Sequence, residues 1–138
     1  MNDFSGPIDA IREADTDGNA STIAQPNWIP LINTPPFPTY TSGHSTFSGA
    51  AATVLAALFG DNVGFTSRMD GQTAASQRPL DPRLITTRTF TTFSQAAEEA
   101  GLSRIFGGIH FEFDSTAGKA TGIEIGNFVA TSILLSQV

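Results

Sequence analysis

The stretch Pro35-Pro36-Phe37-Pro38-Thr39-Tyr40-Thr41-Ser42-Gly43-His44-Ser45 runs directly into the apolar segment Thr46 to Phe59. Proline fixes φ and pushes the residue before it toward extended backbone, so this approach is stiff and its direction is set. A helix is expected where the prolines stop, with Ser42 or Ser45 as its N-cap. The run that follows, FSGAAATVLAALF, is small or apolar on nearly every side, which is the pattern of a buried helix. The first turn of such a helix offers free backbone N–H groups and the positive end of its dipole. With Ser42, Gly43 and His44 gathered there, the segment predicts an anion-binding end.

The whole of residues 1–138 is expected to form one domain, long enough for a single core. A net charge of -6 with only seven Lys and Arg argues against nucleic acid, which needs clustered cations to neutralise phosphates. Any anion site must therefore be local, built from a few groups that prevail at close range over an acidic field. The absence of cysteine excludes disulfides, thiolate metal sites and a cysteine nucleophile. No apolar run is long enough to cross a bilayer, and the polar N-terminus lacks the pattern of a signal peptide.

Along the chain, residues 1–14 read as a short amphipathic helix capped by Ser5, with Pro7 in its first turn. Asp15-Thr16-Asp17-Gly18-Asn19 then makes a turn. Its glycine comes too early for a calcium loop. Ala20 to Thr41, rich in proline but carrying Trp28, Ile29, Leu31 and Ile32, is expected to lie over the core as an ordered strap. Val63–Ser67 and Arg88–Phe93 alternate in polarity and would pair as a minor hairpin around a polar excursion, Met69 to Thr86. A helix capped by Thr92 or Ser94 should run to Phe106 and stop at Gly107-Gly108. A last helix should start at Asp114-Ser115-Thr116 and reach about Leu135. The expected class is all-α: a helical bundle with a minor β-hairpin.

Three polar clusters invite a common chemistry: Ser42-Gly43-His44, Ser103-Arg104, and His110 with Asp114. Taken singly, His44 is equally a capping or surface histidine, and His110 equally a core histidine satisfied by Asp114. Together they suit an oxyanion. A carboxylate that orients a histidine fixes its tautomer and stabilises its cation, which serves a nucleophile or a ligand to a metal oxyanion. A second histidine supplies acid–base catalysis, and an arginine with a helix start holds the remaining oxygens.

Ser42-Gly43-His44 and the later Ser103-Arg104-Ile105-Phe106-Gly107-Gly108-Ile109-His110-Phe111-Glu112-Phe113-Asp114 resemble the second and third motifs of the type 2 phosphatidic acid phosphatase and vanadium-dependent haloperoxidase superfamily. Those motifs are P-S-G-H and S-R-x5-H-x3-D, and the third matches in both spacings. The surrounding residues are most similar to the bacterial haloperoxidase-like branch, over nearly the whole chain, as the C-terminal portion of a longer protein. The resemblance implies vanadate bonded to His110, or phosphate attacked by it to give a phosphohistidine. It also implies orientation of His110 by Asp114, acid–base work by His44, and an oxyanion held by Ser42, Gly43 and Arg104. Halide and peroxide would be the substrates in the peroxidase case, a phosphate ester in the phosphatase case. A periplasmic or secreted location is favoured by the same likeness.

Two departures bear on activity. Thr41 replaces the proline of P-S-G-H. The first motif, K-x6-R-P, is missing: Pro7 is kept, but Gly6 stands where its arginine belongs and no lysine precedes it. Each charge-assisted contact is worth about 1.5–3 kcal/mol, so losing two cations predicts weak or absent turnover by this chain alone. Exposed helix faces at an absent N-terminal side would favour a homo-oligomer. A catalytically inactive oligomeric remnant is the remaining alternative.

Overall fold

The structure, a computed structural model, describes residues 6–68 and 87–134. In chain order these form α1 (Pro7–Arg12), a 3-10 turn (Ala14–Thr16), α2 (Gly43–Phe59), β1 (Phe65–Arg68), β2 (Thr87–Phe90), α3 (Phe93–Phe106) and α4 (Glu112–Val129). A widened turn of π geometry, Ala130–Leu134, extends α4. The architecture is a helical bundle with one small antiparallel hairpin, as the sequence pattern predicts. None of the described helices is long and apolar enough to cross a membrane.

The helix boundaries follow local chemistry. Ser42 has extended backbone and its hydroxyl accepts from the Ser45 N–H, which closes the first turn of α2. Thr92 does the same for α3 through the Gln95 N–H at 2.9 Å. In α4 the cap is different. Asp114 is the third helical residue, and its carboxylate reaches back to the Phe111 N–H at 2.9 Å. That is half of a capping box, since Phe111 has no side-chain acceptor to return. The helix therefore begins at Glu112, two residues before the expected start, and frees the Asp114 side chain to face His110.

The bundle is held by a seam between α2 and α4 in which glycine replaces side chains. Gly118, Gly122 and Gly126 recur every four residues, so they line one face of α4. A Cβ at Gly122 would stand 2.2 Å from the Thr46 carbonyl oxygen, and one at Gly118 would stand 2.6 Å from that of Ser42. Gly49 returns the contact from α2, where a Cβ would lie 3.1 Å from the Lys119 carbonyl oxygen. The two helix backbones thus touch directly. α3 lies against α2, and Lys119 of α4 pairs with Glu98 of α3.

The hairpin pairs Phe65 with Phe90 and Arg68 with Thr87. The Phe65 ring meets Phe90 at 5.3 Å and Phe93 at 5.7 Å, and Arg88 pairs with Glu99, so the hairpin is pinned to the start of α3. The strands are offset from their expected ends, because pairing register and not alternation alone sets where a ladder stops. The excursion Met69 to Thr86 lies outside the described residues.

The proline-rich segment does form a strap. The Arg12 Nε–H donates to the Trp28 carbonyl at 2.8 Å, and the Ile32 N–H donates to that of Gly107 at 3.3 Å. Trp28 lies on Gly108, whose φ of +76° and lack of Cβ allow both the turn and the contact; a Cβ there would sit 2.8 Å from the indole. Ile29 and Leu31 point outward, with Leu31 84% exposed, so only half of the strap's apolar residues pack. The first helix is shorter than expected. It spans Pro7–Arg12 with Gly6 as its cap, and Ser5 lies outside the described residues. The turn at Asp15–Asn19 is a local network: Asp17 accepts from the Asn19 N–H at 2.7 Å and from the Thr22 hydroxyl at 2.7 Å.

The expectation that α2 is buried on nearly every side is corrected. Its seam face is covered, but Phe47 is 79% exposed, and Leu58 and Phe59 are exposed as well. Composition reports only that a helix has apolar faces. Among the described residues, no element covers the outward ones.

Candidate functional site

The seam sets the site, because it brings the start of α2 against the start of α4. The Ser42 N–H donates to the Asp114 carbonyl at 3.0 Å, a backbone bond that locks the two helix starts together. His110 and Asp114 lie next to this junction and are both buried. The His110 Nδ1 faces Asp114 Oδ2 at 3.4 Å, and the same oxygen accepts the Phe111 N–H. With Nδ1 donating to the carboxylate, Nε2 becomes the imidazole's free nitrogen.

Arg104, in the last turn of α3, is half-buried. Its backbone carbonyl accepts the Ile109 N–H at 3.2 Å, which fixes the turn leading to His110. Its Nε is buried without a hydrogen-bond partner, and burial lowers the guanidinium from its ordinary value. Asp114 Oδ1 is likewise buried and unpartnered. The unpaired donor suits an anion, and the unpaired carboxylate oxygen suits a water or a protonated ligand oxygen.

His44 stands more open, as the second residue of α2. Partial burial lowers its pKa first, and the positive charges of Arg104 and His110 lower it further. Arg104 and His110 both bear on His44, so residues from α2, from α3 and from the turn before α4 share one electrostatic neighbourhood. Ser42, fully buried, and Gly43 form the helix start between them. Next to Gly43 there is open space: a Cβ would meet only the edge of Phe47 at 3.9 Å.

The six residues given site roles in the sequence thus fall around the junction of α2, α3 and α4, whereas the Ser103 hydroxyl turns back to the Ala100 carbonyl at 2.7 Å. Two others were missed as contributors. The Ser45 hydroxyl donates to that of Ser42 at 3.2 Å and shares a 2.8 Å hydrogen bond with that of Ser115. Their signal in the sequence is faint: a serine three residues after a cap, and a serine beside Asp114. Phe113 stacks on Phe111 at 5.2 Å and approaches Tyr40 at 6.3 Å, so aromatic rings flank the turn that carries His110. Among the described residues, no group of three or more His, Asp and Glu side chains could hold a metal ion. The polar groups gathered at the junction are two imidazoles, one guanidinium, the Ser42 hydroxyl and the first backbone amides of α2.

A helical bundle with a polar cluster at the joined starts of two helices is the class that fold and geometry define. The chain belongs to the vanadium haloperoxidase-like family, since residues 2–135 match the VCPO second helical-bundle domain. The vanadium chloroperoxidase of Curvularia inaequalis is 28% identical over 153 aligned positions, which cover 85% of this chain and 24% of that protein. A crystal structure described as that of the first bacterial vanadium-dependent iodoperoxidase is 44% identical, with a TM-score of 0.59 over 74% of this chain and 22% of that one. The chain therefore spans about a quarter of the length of these relatives. The family resemblance read from the two motifs is borne out, on the haloperoxidase-like side of the superfamily.

Proposed function

We propose that this chain carries part of a vanadium haloperoxidase-type oxyanion site. The observation that carries the reading is the gathering of Arg104, His44 and the His110–Asp114 pair around the start of α2, with Arg104 Nε buried and unpaired. In this reading His110 Nε2 would hold the oxyanion, with Asp114 on the opposite side of the ring fixing its tautomer. Arg104, the Ser42 hydroxyl and the first amides of α2 bind the remaining oxygens. His44, whose pKa is lowered by its surroundings, would serve as the proton acceptor and donor beside the held group.

The residues present fit vanadate on one wall of such a pocket, which the unpaired Arg104 donor and the open space at Gly43 support. When bound, vanadate would supply the Lewis acidity that activates peroxide for halide oxidation. Gly6, a buried cap with no side chain, stands where the superfamily motif has an arginine. We therefore expect weak turnover from this chain by itself. The exposed apolar faces of α2 and α4 support burial of those faces against a second copy of the chain.

Titration with orthovanadate tests the reading, followed by iodide, bromide and chloride oxidation with hydrogen peroxide. Hydrolysis of a phosphate monoester is measured on the same preparation. Orthovanadate binding abolished by His110→Ala supports the site. Phosphatase turnover without halide oxidation would move the assignment to the phosphohistidine chemistry. No binding of orthovanadate or phosphate would remove both.

A further inference from the structure

The mechanism above uses the Ser42 hydroxyl but leaves open what aims its proton. Ser42 Oγ is fully buried and accepts twice, from the Ser45 N–H at 3.4 Å and from the Ser45 hydroxyl at 3.2 Å. A hydroxyl has two acceptor positions and one proton, so both acceptor positions are filled and the proton remains. Among the described residues no acceptor takes it. Ser45, itself 2% exposed, has one proton and gives it to Ser42, so the Ser45–Ser115 bond at 2.8 Å must run from Ser115 to Ser45.

We propose that Ser115 and Ser45 form a one-way hydroxyl relay that positions Ser42 to donate into the oxyanion pocket. The relay rests on the functional reading above and adds to it two positioning residues, one on α4 and one on α2. Each bond in the chain polarises the next, so the Ser42 proton becomes a stronger donor than an isolated serine would offer. A buried donor without a partner is costly in the free protein, and an anion placed against it recovers that cost. The relay is therefore a device that favours an oxyanion at this spot over water or a neutral ligand.

Gly101 makes the relay possible. A Cβ on this α3 residue would lie 2.8 Å from both the Ser45 and the Ser115 hydroxyl oxygens, so any larger side chain would push into the relay. Three helices thus meet at the Ser45–Ser115 bond, which links the packing of the bundle to the anion pocket.

The test uses the full chain with inorganic orthovanadate and inorganic phosphate as probes, followed by titration calorimetry. Ser42→Ala removes the donor itself and should weaken binding most. Ser45→Ala and Ser115→Ala should each weaken orthovanadate binding about three- to tenfold, as expected if each hydroxyl is needed to keep the Ser42 proton aimed at the anion and its loss forfeits that one hydrogen bond. Ser115→Thr keeps the hydroxyl and should bind within about twofold of the wild type. Thermal unfolding is recorded for each variant. Ser115 is half-buried, so its alanine variant should keep the melting temperature while losing affinity, an outcome that a purely structural role would not give. Wild-type affinity in both Ser45→Ala and Ser115→Ala would overturn the relay and leave the functional reading standing. Failure of the wild type to bind either anion would overturn that reading and the relay with it.

Discussion

The two sides of α2 solve the same problem in opposite ways. Toward α4 the helix meets glycines, and backbone lies on backbone with no room for a Cβ. Away from it the same helix shows Phe47, Leu58 and Phe59 to solvent, and α4 shows Ile125 and Phe128, the last 64% exposed. The seam is built on α4 glycines with only small α2 side chains such as Thr46 and Thr53 reaching into it, and the outer face has large apolar side chains that no described element covers. Stability and site geometry both come from the seam, since it joins the helix starts that carry Ser42 and Asp114. The outer faces add apolar area to the surface and fix nothing in the site.

The sharpest way to break this contrast is to put a methyl into the seam. Gly122→Ala would place a Cβ within 2.2 Å of the Thr46 carbonyl oxygen, which neither backbone can avoid without sliding. We expect a loss of about 3 kcal/mol in denaturant unfolding, at the upper end of overpacking costs. Because sliding α4 would part Ser42 from Asp114, anion binding should fall with it. A substitution on the outer face of the same helix should do neither.

Within the site, Arg104→Ala removes the cation that, among the described residues, has an unpaired buried donor. A charge-assisted bond contributes about 1.5–3 kcal/mol, so orthovanadate or phosphate should bind about 10- to 100-fold more weakly by calorimetry. The melting temperature should stay nearly constant, since that donor has no partner in the free protein to lose. Undiminished affinity would show that Arg104 faces away from the anion.

The outer faces are probed by Phe47→Ser and Phe128→Ser. Neither residue is packed, so unfolding should shift by less than about 0.5 kcal/mol. If these faces meet a second copy, sedimentation should show self-association weakened about tenfold or more, because burying a phenylalanine contributes about 1.5–3 kcal/mol. A chain that is monomeric before and after substitution would sink the self-association proposal.

Much of the fold was legible because its punctuation is local. Ser42, Thr92, Gly107 and the proline run mark helix ends by their own backbone chemistry, and the site motif falls at those ends. The seam was not legible. Gly118, Gly122 and Gly126 give no hydrophobic signal, and their role depends on the Thr46 and Ser42 carbonyls of another helix. The same is true of Ser45 and Ser115, whose link is tertiary. The apolar run of α2 carried the opposite error: a pattern that demands cover does not say whether the chain contains it.

The smallest effect expected is also the most specific to the site. His44 has a lowered pKa, from partial burial first and then from Arg104 and His110. A base with a depressed folded pKa binds protons less readily when folded than when unfolded. Above the ordinary imidazole range it is neutral in both states and contributes nothing. As pH falls through that range the unfolded chain takes the proton first, so stability drops until the folded group also titrates. A bound anion reverses the sense, because its negative charge offsets the positive field of Arg104 and draws the proton onto His44. Sulfate keeps a constant charge over the interval, so it isolates the protein's own titration. Its affinity should rise about threefold between about pH 8 and about pH 5, a modest gain because His44 is open to solvent screening. His44→Ala should flatten that slope while leaving the seam untouched. A slope that survives the substitution would assign the proton to another group, and His44 would then be only a neighbour of the site.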